Sequence, residues 1–270
     1  MLLLGAAGLL LLGGLVASAV LLSGVMSTAA TKQHLRMTHR LLDLGLDYSV
    51  RANSDDIAVP ALEDPAMIAT GLGCYQTHCA DCHGAPGVAP GAAALGMMPV
   101  PTNLAGVASG QTPEWLYYVT RKGVRMTGMP AWEFRLDDRT LWSIVAFLKT
   151  LPAMDSAQYA SSVTSASQTC ATRGEDSAPP MTEGAVVLRQ YACHSCHVIQ
   201  GVVGPDIHVG PRLERWPSRA SIAGGLPNTR ENLARFIRKP NEHVPGSLMP
   251  ALGVTEADAR LMADFLFAQE

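Results

Sequence analysis

The sequence predicts an all-α protein with an N-terminal transmembrane helix followed by two similar helical domains. Residues 2–26 carry no charged side chain. A C-x-x-C-H run occurs twice, at residues 79–83 and 193–197, and each run is followed by a Met-Pro pair. No segment shows the apolar and polar alternation that is typical of a strand. The predicted parts are an anchor (1–29), a connector (30–54), a first domain (55–155), a flexible linker (156–180) and a second domain (181–270).

The apolar run at residues 2–26 is long enough to span a membrane. It holds about 25 residues, and at about 1.5 Å per residue it crosses a hydrocarbon core of about 30 Å with some tilt. A cleaved signal peptide is the alternative, with Ala17-Ser18-Ala19 as the cleavage site. Because the apolar run continues beyond that site, we expect a retained anchor.

The connector contains a leucine-rich segment, residues 34–50, in which apolar side chains are mixed with basic and polar ones. Two interpretations fit this pattern. The segment is either an amphipathic helix that lies on the membrane surface or a plain helix that joins the anchor to the first domain.

Helix-capping residues predict the helices of the first domain. Pro65 stands at an early position of a helix that leads into the first C-x-x-C-H run. Thr112, followed by proline and glutamate, caps a helix that ends near residue 122. Asp137 opens the last helix, residues 139–151, which carries one apolar stripe.

The second domain repeats this plan. Thr182 begins a helix that reaches the second C-x-x-C-H run. Thr229 opens a helix over residues 230–238, and Thr255 opens the final helix. The order of helices around each run is therefore the same, which indicates an internal duplication.

Each C-x-x-C-H run has the composition of an attachment site for haem c. Two thiols three residues apart lie on one face of a helical turn and can add across the vinyl groups of a haem, and the adjacent histidine binds its iron. The predicted cofactors are two covalently bound haem c groups, held by Cys79, Cys82 and His83 and by Cys193, Cys196 and His197. A zinc site is the alternative, but it leaves the adjacent histidines unexplained.

The sixth iron ligand must come from further along the chain. The two runs are 114 residues apart (79 to 193), and the Met-Pro pairs at residues 129 and 249 are 120 apart. We therefore predict Met129 and Met249 as ligands; a thioether favours reduced iron and raises its potential. The alternatives are Met126, Met97 and Met98 in the first domain and His208 and His243 in the second.

Two further predictions concern the surroundings of the iron ligands. The carbonyl of Pro205 is placed to accept a hydrogen bond from His197 Nδ1, which would fix the imidazole. The first domain shows no equally clear counterpart. His78 and His194, which stand within or beside the runs, are predicted to face away from the iron into solvent.

Cys74 and Cys170 are the two remaining cysteines. In an oxidising compartment, a disulfide between them would tie the linker to the first domain. A buried free thiol at Cys74 is the alternative, and the sequence leaves the choice open.

These motifs resemble those of class I cytochromes c, over about residues 60–152 and 181–270. The first half, with its runs at residues 79–84 and 123–131, looks like membrane-anchored monohaem cytochromes of proteobacteria. The second half is similar to the cytochrome c tail of subunit II of some haem–copper oxidases, on the segments 204–206, 226–234 and 245–250. No C-x-x-x-C pair of a copper domain is present, so the resemblance implies partnership with an oxidase.

The predicted function is that of a membrane-anchored dihaem cytochrome c. It would pass single electrons from a respiratory donor protein to a terminal haem–copper oxidase. Because His and Met fill both axial positions, we expect an electron carrier and not an enzyme. The 20 basic and 23 acidic residues nearly balance, so nothing indicates nucleic-acid binding. The expected partners are respiratory complex subunits and membrane lipid.

The predicted location is the bacterial inner membrane, with one transmembrane helix and both haem domains on the periplasmic side. Lys32, Arg36 and Arg40 follow the span, and the positive-inside rule would favour the opposite orientation. Haem attachment outside the cytoplasmic membrane outweighs that rule. The alternative functions are the electron-accepting cytochrome subunit of a periplasmic dehydrogenase and a dihaem peroxidase-like enzyme, which needs a vacant or labile sixth position.

Overall fold

The chain divides into two helical units, residues 1–171 and 172–270, and each has its own buried core. The computed structural model describes residues 2–25, 27, 29–33, 35–165, 170 and 182–269. Helices and the loops between them make up most of both units. The predicted mostly helical class is confirmed.

The first unit contains the two N-terminal helices and the first C-x-x-C-H run. Its helices are α1 (Leu2–Leu22), α2 (Arg36–Ser54), α3 (Pro65–His78), α4 (Ala80–His83), α5 (Ala92–Leu95), α6 (Leu104–Gly110), α7 (Pro113–Lys122), α8 (Asp138–Thr150) and α9 (Ser156–Ser165). Short 3₁₀ turns at Trp132–Phe134 and Leu151–Ala153 precede and follow α8. Within the described residues, no helix combines the length and the hydropathy that a membrane crossing requires. The predicted anchor at residues 1–29 is therefore not confirmed.

The predicted helix starts of the first domain are confirmed by their caps. The Asp64 carboxylate accepts a hydrogen bond from the Ala66 amide, and Pro65 is the first residue of α3. Thr112 caps α7, and Asp137 caps α8 with a bond of 2.7 Å from the Thr140 amide. Each cap satisfies an amide that has no partner inside the helix.

The core of the first unit is centred on the crossing of α3 and α8. Gly71 of α3 lies directly against the backbone of Ser143 in α8. A Cβ atom at residue 71 would overlap the Ser143 carbonyl oxygen and would lie 2.9 Å from Phe147 Cβ. A glycine is therefore required for the two helices to approach this closely.

Helix α2 packs against α7. Val50 and Ser54 of α2 are buried, and the Asp47 carboxylate faces the Trp115 indole of α7. The bond from Arg51 and, to a smaller extent, the Trp115 indole hold the pKa of Asp47 below its usual value. Helix α2 therefore has one face docked on the first unit, as the connector interpretation of residues 34–50 requires.

The predicted flexible linker at residues 156–180 begins with a helix, so this prediction was wrong for residues 156–165. Helix α9 carries Tyr159, which is 2% exposed and packs into the first core. Cys74 and Cys170 form a disulfide across a separation of 96 residues, which ties the chain back beyond α9. The other linker residues, 166–169 and 171–180, lie outside the described residues.

The second unit repeats the crossing of its first and last helices. Its helices are α10 (Glu183–Gln190), α11 (Arg230–Arg238), α12 (Pro240–His243) and α13 (Glu256–Phe267). Two-residue strands β1 (Ser221–Ile222) and β2 (Leu226–Pro227) pair antiparallel, and 3₁₀ turns occur at Cys193–Ser195 and Trp216–Ser218. Thr229 and Thr255 cap α11 and α13 as predicted. At Gly184 in α10, a Cβ atom would lie 2.5 Å from Phe265 Cβ in α13.

Candidate functional site

Both C-x-x-C-H runs adopt the same backbone turn. The His83 amide donates to the carbonyl of Cys79 at 2.9 Å, and the His197 amide donates to the carbonyl of Cys193 at 3.0 Å. In each run the amide of the second cysteine also donates to the carbonyl of the first, at 3.1 and 3.2 Å. The two thiols and the histidine of each run therefore lie within one backbone turn. Attachment of one group by three residues requires them to be this close.

The imidazole of each run is held from behind through its Nδ1 atom. His83 Nδ1 lies 2.7 Å from the Thr102 carbonyl oxygen, and His197 Nδ1 lies 2.7 Å from the Pro211 carbonyl oxygen. A carbonyl acceptor fixes the proton on Nδ1, which leaves Nε2 free to bind a metal. Burial lowers the pKa of His83, and the bond to Thr102 opposes this shift.

The acceptor for His197 differs from the predicted one. Pro205 was the wrong proline, since the bond goes to Pro211. In the first domain, where the sequence showed no equally clear counterpart, Thr102 fills that role. The two acceptors occupy equivalent places: Leu104 and Leu213 each follow two residues later and pack into the core of their unit. That shared leucine is the sequence signal by which both acceptors could have been found.

The glycine at position 210 leaves room for the imidazole of His197. A Cβ atom at Gly210 would overlap the ring of His197, with Nδ1 only 2.6 Å away. The Gly210 amide donates to the Cys196 carbonyl at 2.8 Å. The backbone thus passes directly over the ring and fixes its plane.

The two predicted methionine ligands stand in matching turns. The Met129 amide donates to Thr127 Oγ1 at 3.0 Å, and the Met249 amide donates to Ser247 Oγ at 3.2 Å. Both side chains are half-buried and pack against the core of their own unit. Cys79 belongs to the same core as Met129, and Cys193 packs on the same core as Met249.

Of the alternative ligands, Met126 and His208 are exposed. Met126 is 92% exposed and has a positive φ of 61°. Met97 lies against Gly128, where a Cβ atom would come within 2.9 Å of its sulfur. His208 is exposed, and His243 is half-buried at the end of α12. Of Met126 and Met129, Met129 is the one that packs against the first core.

We expect Met129→Leu to change the first haem and Met126→Leu to leave it unchanged. Leucine keeps the bulk of Met129 but removes the sulfur, so the iron loses a soft ligand and its potential falls. The measurement is a redox titration with absorption spectra of the oxidised protein, in which loss of a ligand converts one haem to high spin. If Met126→Leu gave that change and Met129→Leu did not, the assignment would be reversed.

The four cysteines of the runs are free thiols, whereas the other two form the disulfide. Burial, with a smaller contribution from Cys82, raises the pKa of the Cys79 thiol to about 12, and burial also raises the pKa of Cys193. Within the described part of the chain, no group of three or more His, Cys, Asp or Glu side chains converges as a metal cluster would require. A zinc site of that kind is not present there.

The surroundings fit a haem. The free Cys pairs supply thioether positions, the imidazoles present Nε2, and each methionine packs on the core that the first cysteine of its run also contacts. The Trp216 Nε1–H group is buried without an acceptor among the described residues, and a cofactor with carboxylates offers such a donor a partner. When bound, haem c would supply a one-electron redox centre to the first unit, which contains Cys79, Cys82 and His83.

The two histidines beside the iron ligands are not solvent-exposed, contrary to prediction. His78 is half-buried, and its ring lies 4.8 Å from that of Trp132, between ring centroids. His194 is half-buried against Gly204, where a Cβ atom would meet its ring at 3.4 Å. His78 therefore packs against the 3₁₀ turn that precedes α8, and His194 packs against the loop that follows its run.

The first unit matches a known family over most of its core. Residues 66–148 match the family model described as cytochrome c oxidase, cbb3-type, subunit III. This range covers nearly all of α3, the first C-x-x-C-H run, Met129 and most of α8. The match indicates a cytochrome c domain, whose cofactor is covalently bound haem c and whose activity is electron transfer.

Among characterised proteins, the chain is similar to a cytochrome c oxidase subunit 2 of Alkalihalophilus pseudofirmus. The two are 32% identical over 85 residues, which is 31% of this chain and 24% of that protein. The chain thus spans about a quarter of the length of this relative. No solved structure is similar enough to count as a match.

Proposed function

We propose that the protein is a membrane-anchored dihaem cytochrome c that carries single electrons from a respiratory donor to a terminal haem–copper oxidase. The observation that carries this proposal is the duplicated site. Each unit has a C-x-x-C-H turn, a carbonyl behind the imidazole at 2.7 Å and a methionine whose amide is held by a hydroxyl two residues earlier.

The proposal of two haems extends the family match to the second unit. The matched range ends at residue 148, so the second haem rests on the likeness between the two sites. Cys193, Cys196, His197 and Met249 hold the second haem in this proposal, as Cys79, Cys82, His83 and Met129 hold the first. With both axial positions filled, neither iron offers a place for a substrate, and the protein serves as a carrier.

The proposed partner is an oxidase. Both the family model and the similar protein carry the name of a cytochrome c oxidase subunit, and the sequence has no copper-binding C-x-x-x-C pair of its own. The electrons therefore pass to copper or haem in another subunit. A respiratory donor protein reduces the carrier.

The proposed location is the bacterial inner membrane, with both haem units on the periplasmic side. The uncharged run at residues 2–26 serves as a single anchor, and haem attachment outside the cytoplasmic membrane sets the orientation. The Cys74–Cys170 disulfide supports an oxidising compartment.

Purification of the tagged chain from solubilised membranes tests this function. We expect an oxidase that contains haem and copper to co-purify, and we expect the reduced protein to be reoxidised by oxygen in that fraction. Cyanide, which blocks the oxidase, should stop reoxidation. A flavoprotein or quinoprotein companion with no oxidase would contradict the proposal.

A further inference from the structure

The face of α2 that points away from the first unit carries an unpartnered apolar stripe. Met37, Leu41, Leu44 and Tyr48 are each between 55% and 74% exposed. At about 100° per residue, these positions fall within about 60° of one another around the helix. Such a stripe in an exposed helix requires an apolar neighbour.

Another side of the same helix is already occupied. Val50 and Ser54 are buried there, and Asp47 faces Trp115 of α7, against which α2 packs. These positions lie about 90° or more from the centre of the stripe. Helix α2 therefore has two separate faces, one docked on the first unit and one open.

The charges on α2 indicate what covers the open face. Both of its acidic residues are paired, Asp43 with His39 at 2.6 Å and Asp47 with Arg51 at 2.8 Å. Arg36 and Arg40 are exposed and make no ion pair within the described residues. Arg40 lies about 70° from the centre of the stripe. An apolar stripe with a free cation at its edge is typical of helices that lie in an anionic lipid surface.

The position of α2 in the chain agrees with this. Only residues 23–35 separate the end of α1 from the start of α2, and this stretch reaches at most about 45 Å. If α1 is the anchor, as the proposed function requires, α2 cannot leave the neighbourhood of the membrane.

We propose that α2 lies in the membrane surface through the stripe Met37, Leu41, Leu44 and Tyr48 and holds the first unit against the lipid through its other face. This inference rests on the proposed membrane anchor. The first unit is then held in one orientation relative to the membrane and does not rotate freely about its anchor. A unit held in this way presents a fixed side to a partner in the same membrane.

Photochemical labelling of the haem-loaded full chain tests whether the stripe on α2 contacts lipid. p-Benzoylphenylalanine replaces Leu44 in the stripe, and in a matched variant it replaces exposed Ser49, about 140° away around the same helix. Both proteins are reconstituted into phosphatidylcholine liposomes with and without phosphatidylglycerol. We expect several-fold more lipid adduct at position 44 than at position 49. Equal lipid labelling at the two positions, or adducts to protein alone at position 44, would overturn the inference.

The arginines are tested in the same assay. We expect Arg36→Gln with Arg40→Gln to lower labelling at position 44 several-fold on liposomes with phosphatidylglycerol, because each cation near an anionic surface contributes to binding. Unchanged labelling would exclude their role. Haem absorption and resistance to alkaline extraction are measured on the same samples. They report on the proposed function separately from the contact between α2 and lipid.

Discussion

Replacing Cys193 and Cys196 with alanine is expected to remove one haem from the protein and to leave the other in place. In the proposed dihaem protein each pair of thiols forms its thioether bonds within its own unit, and each unit has its own core. Loss of the second pair thus leaves Cys79, Cys82 and His83 untouched. Intact-mass analysis should show an increment for one haem instead of two, and the haem content per chain should halve.

The chain offers a matched control for this experiment. Cys74→Ala with Cys170→Ala also removes two cysteines, but these form the disulfide and have no place in a C-x-x-C-H run. We expect this variant to keep both haems. A protein that retained two haems without Cys193 and Cys196, or that never carried more than one, would contradict the dihaem assignment.

The helix boundaries could be predicted because they depend on local chemistry. A Ser, Thr or Asp side chain at an N-cap satisfies an amide two or three residues away, so the signal is contained in a few neighbouring residues. Thr112, Asp137, Thr229 and Thr255 all cap the helices predicted for them. The haem motif is equally local, since all of its residues fall within five positions.

The contacts that close over long stretches of chain could not be predicted in the same way. The loop from His197 to its acceptor contains both Pro205 and Pro211, and only its path decides which carbonyl reaches the ring. The serine- and alanine-rich start of the linker has low apolar content, yet Tyr159 and Val163 dock α9 on the first core. Tertiary packing overrides local composition at such places.

The disulfide illustrates the same limit. Cys74 lies in the middle of α3 and Cys170 far along the chain, at a separation of 96 residues. The cysteine count shows that these two cysteines remain once both C-x-x-C-H runs are assigned. It does not decide whether their Cβ atoms lie close enough to form a disulfide. That depends on how α9 packs, which the sequence pattern did not reveal.

Gly71→Ala is expected to destabilise the first unit strongly. Alanine normally favours a helix over glycine by about 1 kcal/mol, so a local argument would predict a gain in stability. At Gly71, however, the new methyl group would overlap the Ser143 carbonyl oxygen and crowd Phe147 Cβ at 2.9 Å. Both obstacles belong to or adjoin the backbone of α8 and cannot rotate away. Helices α3 and α8 must separate, at a cost of about 3 kcal/mol or more in the free energy of unfolding.

Gly106→Ala is the matched control, because this glycine also lies inside a helix, α6, and a Cβ atom there would have no neighbour within 4 Å. We expect the thermal midpoint to fall by about 10 °C for Gly71→Ala and to stay level or rise for Gly106→Ala. Hydrogen exchange should place the loss of protection in α3 and α8. Since α3 leads directly into Cys79, separation of the two helices should also displace the first thioether site, which links the stability of this crossing to haem retention. Equal midpoints for the two variants would show that the crossing tolerates a methyl group and that its close approach does not hold the site.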